Sequence, residues 1–152
     1  MKTSKAQQDA TRARIVRCAV DLIVRDGYDA VTMKDIAKAA AIGDATIYKY
    51  FATKERLILG YLDQVAEQAV KAAHDTPDFD EYDLQSKLQR LTDALLEILA
   101  PDRAFVGVAG AMLAKSPLLL LGDQLQAKQT LKESVATLLD TAAKQGELPA
   151  SD

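Results

Sequence analysis

Apolar residues recur along this chain with the period of an α-helix, and glycines, prolines or polar runs interrupt the pattern at short intervals. Ile15, Ala19 and Ile23 fall on one face of a predicted first helix that begins at Thr11. Gly27 is placed to end that helix, because glycine adopts the left-handed capping conformation at little cost. No candidate strand is longer than four residues, so the pattern predicts an all-α chain.

Two short helices are predicted directly after the first one. Thr32 opens the second helix, because the spacing of Thr32 and Asp35 is that of a capping box. A tight turn is predicted at residues 41–43, and a third helix over residues 44–50. Two short helices joined by a turn of three or four residues have the geometry of a helix-turn-helix.

Four longer helices are predicted in the rest of the chain, each with a row of aliphatic side chains. Their expected bounds are about residues 53–73, 84–99, 102–115 and 123–145, with a short apolar link over residues 118–122. A bundle of such helices can enclose an apolar cavity. Candidate ligand-binding residues are Tyr61, Leu88, Leu91, Phe105, Met112 and Leu139. Each of them also fits an ordinary packed core, and the pattern leaves both interpretations open.

Composition narrows the class of protein. The chain has 152 residues, of which 49% are hydrophobic and 27% charged, and these values exclude disordered and collagen-like chains. Cys18 is the only cysteine, which excludes an internal disulfide. The polar N-terminus lacks the apolar run of a signal peptide, and the apolar stretch 104–114 is too short to cross a membrane. A cytoplasmic protein without membrane contact is expected.

Charge is distributed unevenly along the chain. Residues 1–56 hold 11 Lys/Arg against 7 Asp/Glu, whereas residues 57–152 hold 8 against 15. A basic N-terminal third joined to an acidic remainder suggests that the first part meets a polyanion. Ordinary variation of a solvated surface also fits this distribution, so charge alone does not decide between the two.

The third predicted helix has a buried face and a polar face. Ile47 and Phe51, four residues apart, can hold it against the domain. The opposite side then carries Asp44, Ala45, Tyr48 and Lys49. A tyrosine hydroxyl and a lysine can reach phosphates, while Ala45 and Thr46 are small enough to approach bases in the major groove.

These residues match a known family. The stretch from Ile15 to Leu57, above all residues 32–37 (TMKDIA) and 46–55 (TIYKYFATKE), closely resembles the TetR (tetracycline-repressor-like) transcriptional regulators. The resemblance implies a dimeric repressor with a three-helix DNA-binding domain, followed by a helical domain that binds a small-molecule effector. It also implies operator DNA as the partner and the nucleoid of a bacterium as the location.

The resemblance assigns roles to individual positions. It implies that Thr32 caps the second helix and touches a phosphate, that Tyr48 and Lys54 contact phosphates, and that Lys49 contacts a base or a phosphate. The full predicted DNA-binding set is Thr32, Lys34, Gly43, Asp44, Ala45, Thr46, Tyr48, Lys49 and Lys54.

Three positions depart from the family pattern. Ala41 stands where glycine is usual, Gly43 where a serine cap is usual, and Asp44 where a lysine is frequent. Asp44 would repel a phosphate, although its carboxylate could accept a hydrogen bond from a cytosine amino group. The base preference therefore stays open.

The resemblance also suggests a domain division. Residues 1–10 are expected to be a flexible arm, 11–56 the DNA-binding domain and 57–152 a helical regulatory domain. In the family, two further helices usually follow the segment like residues 124–149 and form the dimer interface. A fold lacking these two helices is therefore expected, which puts the homodimer in doubt. An exposed apolar strip is predicted at Leu131, Val135, Leu138 and Leu139.

Catalysis is not expected. His74 is the only histidine and lies at a predicted helix end, so neither a Ser/His/Asp set nor a metal site can be assembled around it. No cofactor is expected. The leading hypothesis is a sequence-specific DNA-binding repressor that a small molecule releases from its operator. The alternative is a helical ligand-binding or protein-interaction module with a vestigial helix-turn-helix, which Asp44 and the acidic overall balance keep open.

Overall fold

The computed structural model describes residues 3–118 and 125–149, and the regular structure of these residues is helical throughout. The α-helices with described bounds are α1 (Lys5–Asp26), α2 (Met33–Ala39), α3 (Ile47–Tyr50), α4 (Lys54–His74), α5 (Leu84–Leu99), α6 (Arg103–Lys115) and α7 (Gln126–Lys144). Two short 3₁₀ helices cover Phe79–Glu81 and Ala100–Asp102. The prediction of an all-α fold is confirmed. Residues 119–124, which include most of the predicted apolar link, lie outside the described residues.

Helix α1 begins at Lys5, six residues before the predicted start at Thr11. Ser4 accounts for the early start, because it forms a capping box with Gln7. The Gln7 amide donates to Ser4 Oγ at 3.2 Å, and the Ser4 amide donates to Gln7 Oε1 at 3.0 Å. Lysine, alanine and glutamine, which follow the cap, are good helix formers even without an apolar face. Most of the expected flexible arm is therefore helical.

The first of two compact units comprises the chain up to Tyr61 together with residues 102–117. Its core is aliphatic, and the side chains of Ile15, Ile36, Ile47 and Ile58 are fully buried. Phe105 of α6 is also fully buried. Its ring lies edge-on to that of Tyr61, with the two centroids 4.8 Å apart. This core holds the three N-terminal helices in a fixed arrangement.

The second unit comprises residues 62–101 and the chain from residue 118 onwards. A cluster of small and aliphatic side chains around Phe79 forms its core. Its buried members are Ala69, Ala73, Phe79, Leu91, Ala94 and Leu138. The start of α5 is capped twice, because the Ser86 amide donates to Asp83 Oδ1 at 2.8 Å and the Leu84 amide donates to Glu147 Oε2 at 2.7 Å.

The predicted apolar strip on α7 is largely wrong. Leu138 is buried, and Val135 packs against the core of the second unit. Leu131 is half-buried, so Leu139, at 40% exposure, is the one member of the strip that is exposed. The reason is that α5 and α7 pack on each other, and the apolar row of α7 faces α5 in that contact.

Candidate DNA-binding site

Helix α3 is anchored by the two residues that the sequence indicated. Ile47 is fully buried and Phe51 is 5% exposed. The α-helical part covers only Ile47–Tyr50, whereas residues 44–46 form a turn in which the Thr46 amide donates to the Gly43 carbonyl at 3.0 Å. The helix predicted over residues 44–50 is thus shorter than expected, because its first three residues form this turn instead.

The turn between α2 and α3 contains a residue in an unusual backbone conformation. Ala41 has φ = 55°, in the left-handed region that glycine adopts more readily. The Ile42 amide donates to the Ala37 carbonyl at 3.0 Å, which closes the end of α2. Arg14 of α1 also stabilises this turn, since its Nε donates to the Ala40 carbonyl at 3.0 Å. The turn keeps a glycine-like geometry with alanine in that position.

The face opposite the two anchors is open to solvent. Tyr48 is 55% exposed, an unusual value for a large aromatic side chain. Most of the predicted DNA-binding residues share this accessibility: Thr32, Lys34, Gly43, Asp44, Ala45, Tyr48 and Lys49 are exposed. Thr46 and Lys54 are half-buried. A protruding tyrosine beside a lysine and two small residues fits the requirements of contact with a nucleic-acid groove.

Two charged members of the predicted set face each other. Lys34 Nζ lies 3.8 Å from Asp44 Oδ2, and both side chains are largely exposed. An exposed pair of this kind contributes little to stability. Its effect is electrostatic, since Asp44 offsets the positive charge that Lys34 would otherwise present to a phosphate.

Lys54 has partners inside the protein. Its Nζ donates to the Tyr28 carbonyl at 2.8 Å and lies 4.3 Å from the centre of the Tyr28 ring. The Tyr28 hydroxyl in turn donates to Glu55 Oε1 at 2.8 Å, and burial raises the pKa of Tyr28. Lys54 therefore fastens the start of α4 to the segment between α1 and α2. One carbonyl uses one of its three ammonium hydrogens, so two remain for another acceptor.

Sequence reasoning missed Arg12 as a supporting residue. Its Nη1 donates to the Tyr50 carbonyl at 3.2 Å, and its guanidinium carbon lies 5.1 Å from the centre of the Phe51 ring and 5.7 Å from that of Tyr50. Arg12 thus satisfies a carbonyl at the end of α3 and makes cation–π contacts with Tyr50 and with the anchor Phe51. The only sequence signal was the basic character of residues 1–56.

The anchored helix-turn-helix lies in a segment, residues 15–61, that matches a known family model. This is the model of the "Bacterial regulatory proteins, tetR family". This N-terminal segment matches the TetR family. The matched segment ends at Tyr61, the last residue of the first unit before the chain continues into the second.

The match of this segment to the TetR family agrees with the curated relatives, which are transcriptional regulators. The HTH-type regulator YvkB of Bacillus subtilis is 31% identical over 99 residues, which are 65% of this chain and 50% of YvkB. UidR of Escherichia coli is 33% identical over 70 residues, covering 46% of this chain and 36% of UidR. TcmR of Streptomyces glaucescens is 26% identical over 90% of this chain and 61% of its own length. The chain thus spans about half or less of the first two relatives.

Solved TetR-family structures share the fold. A TetR-family regulator from Syntrophomonas wolfei superposes with a TM-score of 0.73 at 22% identity, covering 96% of this chain and 75% of its own. FadR of Thermus thermophilus, a TetR-family repressor solved in complex with lauroyl-CoA, gives a TM-score of 0.63 at 24% identity, covering 93% and 72%. At these identities the likeness establishes the TetR-family fold.

The six candidate ligand-binding residues divide between the two units. Tyr61, Phe105 and Met112 belong to the first unit, and Leu88, Leu91 and Leu139 to the second. Tyr61 and Phe105 pack on each other, and Leu91 lies in the core of the second unit. Leu139 is exposed. Whether any of the six contacts a ligand stays a prediction.

Within residues 3–118 and 125–149, no three His, Cys, Asp or Glu side chains converge on a point where a metal ion could be held. In the same part of the chain, no helix is both long enough and apolar enough to cross a membrane.

Proposed function

We propose that this chain is a sequence-specific DNA-binding repressor of transcription that a small-molecule effector releases from its operator. The observation that carries the proposal is the geometry of α3. Its back is fixed by Ile47 and Phe51, and its front presents the protruding Tyr48. A helix held in this way can enter the major groove, which is about one helix wide.

Six residues on or near α3 have proposed roles in DNA contact. Tyr48, Lys49 and Thr32 contact phosphates, which position the protein without reading sequence. Ala45 and Thr46 approach base edges. Asp44 accepts a hydrogen bond from a cytosine amino group, the contact that a carboxylate makes in the major groove.

The proposed DNA-bound form is a homodimer. Two helix-turn-helix units recognise two half-sites when a two-fold axis places their recognition helices about one DNA turn apart. A monomer would make half of these contacts. The proposed location is the bacterial cytoplasm at the nucleoid, and no catalytic role is proposed.

Release by an effector is supported by a structural relative. FadR of Thermus thermophilus, which shares the fold, is a repressor solved with lauroyl-CoA. For this chain we propose a two-state mechanism, in which an effector binds one conformation more tightly and that conformation matches the half-site spacing poorly.

The test measures, by fluorescence anisotropy, the affinity of the 152-residue chain for DNA that flanks its own gene. A scrambled duplex of equal length is the comparison. The wild-type protein should prefer the flanking DNA by about a thousandfold or more. Tyr48→Ala should weaken binding. Leu96→Ala, at a 59% exposed position on α5, is the matched control and should leave it unchanged. Equal affinity for both duplexes would contradict the proposal.

A further inference from the structure

Two arginines of α1 donate to the ends of the two helices that form the helix-turn-helix. Arg12 Nη1 donates to the carbonyl of Tyr50, the last residue of α3, at 3.2 Å. Arg14 Nε donates to the carbonyl of Ala40, which caps the C-terminus of α2, at 3.0 Å. One short segment of α1 therefore contacts the C-terminal end of both helices.

Both carbonyls lack a partner in the backbone. The last carbonyls of a helix have no donor within the helix and need one from elsewhere. Among the backbone hydrogen bonds of residues 3–118 and 125–149, none ends on the Tyr50 or the Ala40 carbonyl. A guanidinium that donates to a carbonyl forms a charge-assisted hydrogen bond, which is stronger than a bond between neutral groups. The arginines thus supply contacts that the two short helices do not make for themselves.

The direction of α3 depends on such outside contacts. An isolated helix much shorter than about 12 residues is not stable in water, and α3 covers only Ile47–Tyr50. Arg12 holds its far end, where the guanidinium also lies over the ring of Phe51. Arg14 holds the other side of the turn, since Ala40 directly precedes Ala41 with its positive φ.

We propose that Arg12 and Arg14 are positioning residues for operator recognition, which fix the angle between α2 and α3. Side chains that read bases must be held within about 0.5 Å of the productive geometry. Contacts to phosphates carry no sequence information. The two arginines therefore act on the discrimination between sequences, through the placement of the face that carries Tyr48, and not on the affinity for DNA in general. This inference rests on the proposed function and places determinants of its specificity on α1.

Arg12→Lys and Arg14→Lys test the proposal without a change of net charge. A lysine has a methylene where arginine has Nε, and its ammonium lacks the planar shape that spans a carbonyl and a ring. The first readout is amide hydrogen exchange of the 152-residue chain without DNA. The Phe51 amide, which closes α3, should exchange about tenfold faster in Arg12→Lys, and the Ile42 amide, which closes α2, about tenfold faster in Arg14→Lys. The amides of α5 should keep their wild-type rates.

The second readout is the preference for the flanking DNA over the scrambled duplex, measured by anisotropy. Each lysine variant should reduce this preference about tenfold. Affinity for the scrambled duplex and its salt dependence should stay unchanged, because the charge is the same. A loss of folded protein lowers both apparent affinities by the same factor and leaves their ratio unaffected. Arg25→Lys is the matched control on α1, since Arg25 pairs with the neighbouring Asp26 and its side chain is 70% exposed.

Three results would overturn the inference. One is a wild-type preference in both lysine variants, and another is exchange that rises equally in all helices. The third is weaker binding to both duplexes with a shallower salt dependence, which would mean that the arginine itself contacts a phosphate. If one variant does not fold, the other decides. Local exchange as expected, in a wild-type protein without preference for the flanking DNA, would refute the repressor function and the part of Arg12 and Arg14 in recognition, while their support of α2 and α3 would stand.

Discussion

Arg17 of α1 and Asp102, which precedes α6, form a two-pronged ion pair in which Nη1 donates to Oδ2 at 3.0 Å and Nη2 to Oδ1 at 2.9 Å. The Tyr61 hydroxyl of α4 donates to the same Oδ2 at 3.1 Å. Arg17 also donates to Asp21 of its own helix. One carboxylate therefore joins three helices of the first unit, and its side chain is only 14% exposed.

This arrangement predicts how stability depends on pH. The hydrogen bonds from Arg17 lower the pKa of Asp102 below its usual value. A carboxylate with a depressed folded-state pKa contributes stability above its unfolded pKa of about 4 and loses it as pH falls through the folded value. Asp102→Asn should cost about 1–2 kcal/mol of unfolding free energy at pH 7. In urea titrations, its difference from wild type should shrink steadily below pH 4.

Asp21→Asn is the matched control for Asp102→Asn. Asp21 accepts from the same arginine, but its side chain is 67% exposed. An exposed ion pair within one helix contributes about 0.5 kcal/mol or less. If both variants lose the same unfolding free energy at pH 7, the hydrogen bonds that Arg17 and Tyr61 donate to Asp102 stabilise the protein no more than an ordinary surface ion pair does.

Lys54→Ala should have two separable effects. It removes a hydrogen bond and a cation–π contact to Tyr28, which should lower the unfolding free energy by about 1–2 kcal/mol. If the remaining hydrogens also reach a phosphate, binding to operator and to random DNA should weaken alike. The slope of log K against log salt should then become shallower by roughly 0.9 per monomer. A stability loss with an unchanged salt slope would restrict Lys54 to its role in the fold.

Asp44→Ala should change the order in which operator variants are bound. Loss of the contact to cytosine should reduce the binding free energy by about 1–3 kcal/mol at one position of each half-site. The preference at the other positions should be unaffected. A different result is possible because Asp44 pairs with Lys34, and its removal leaves the Lys34 charge free to attract phosphates. Uniformly tighter binding to all sequences would identify Asp44 as a repulsive charge that does not read a base. Lys34→Met is the matched control and should weaken binding to all sequences equally.

The framework of the DNA-binding unit could be predicted because local rules determine it. The Thr32–Asp35 capping box is formed, with the Asp35 amide donating to Thr32 Oγ1 at 3.1 Å. Ile47 and Phe51 are buried as their spacing indicated. The early start of α1 was missed because the capping signal at Ser4 precedes a segment without apolar periodicity.

The supporting contacts of the candidate site could not be predicted, because they join residues far apart in the chain. Arg12 and Tyr50 are 38 positions apart, and Lys54 and Tyr28 are 26 positions apart. Their side chains meet only when the three helices have packed.

Ala41→Gly should stabilise the protein. Ala41 has φ = 55°, where the Cβ of an L-residue is crowded at a cost of about 1–2 kcal/mol. Glycine removes that strain but has more freedom in the unfolded chain, which takes back about 0.5–1 kcal/mol. The net gain expected in urea unfolding is therefore about 0.5 kcal/mol. Ala39→Gly, at the exposed last residue of α2, is the control and should lose up to about 1 kcal/mol, because its backbone is helical. If both variants lose stability equally, the turn that precedes α3 is unstrained with alanine, and the departure from glycine at this position has no energetic consequence.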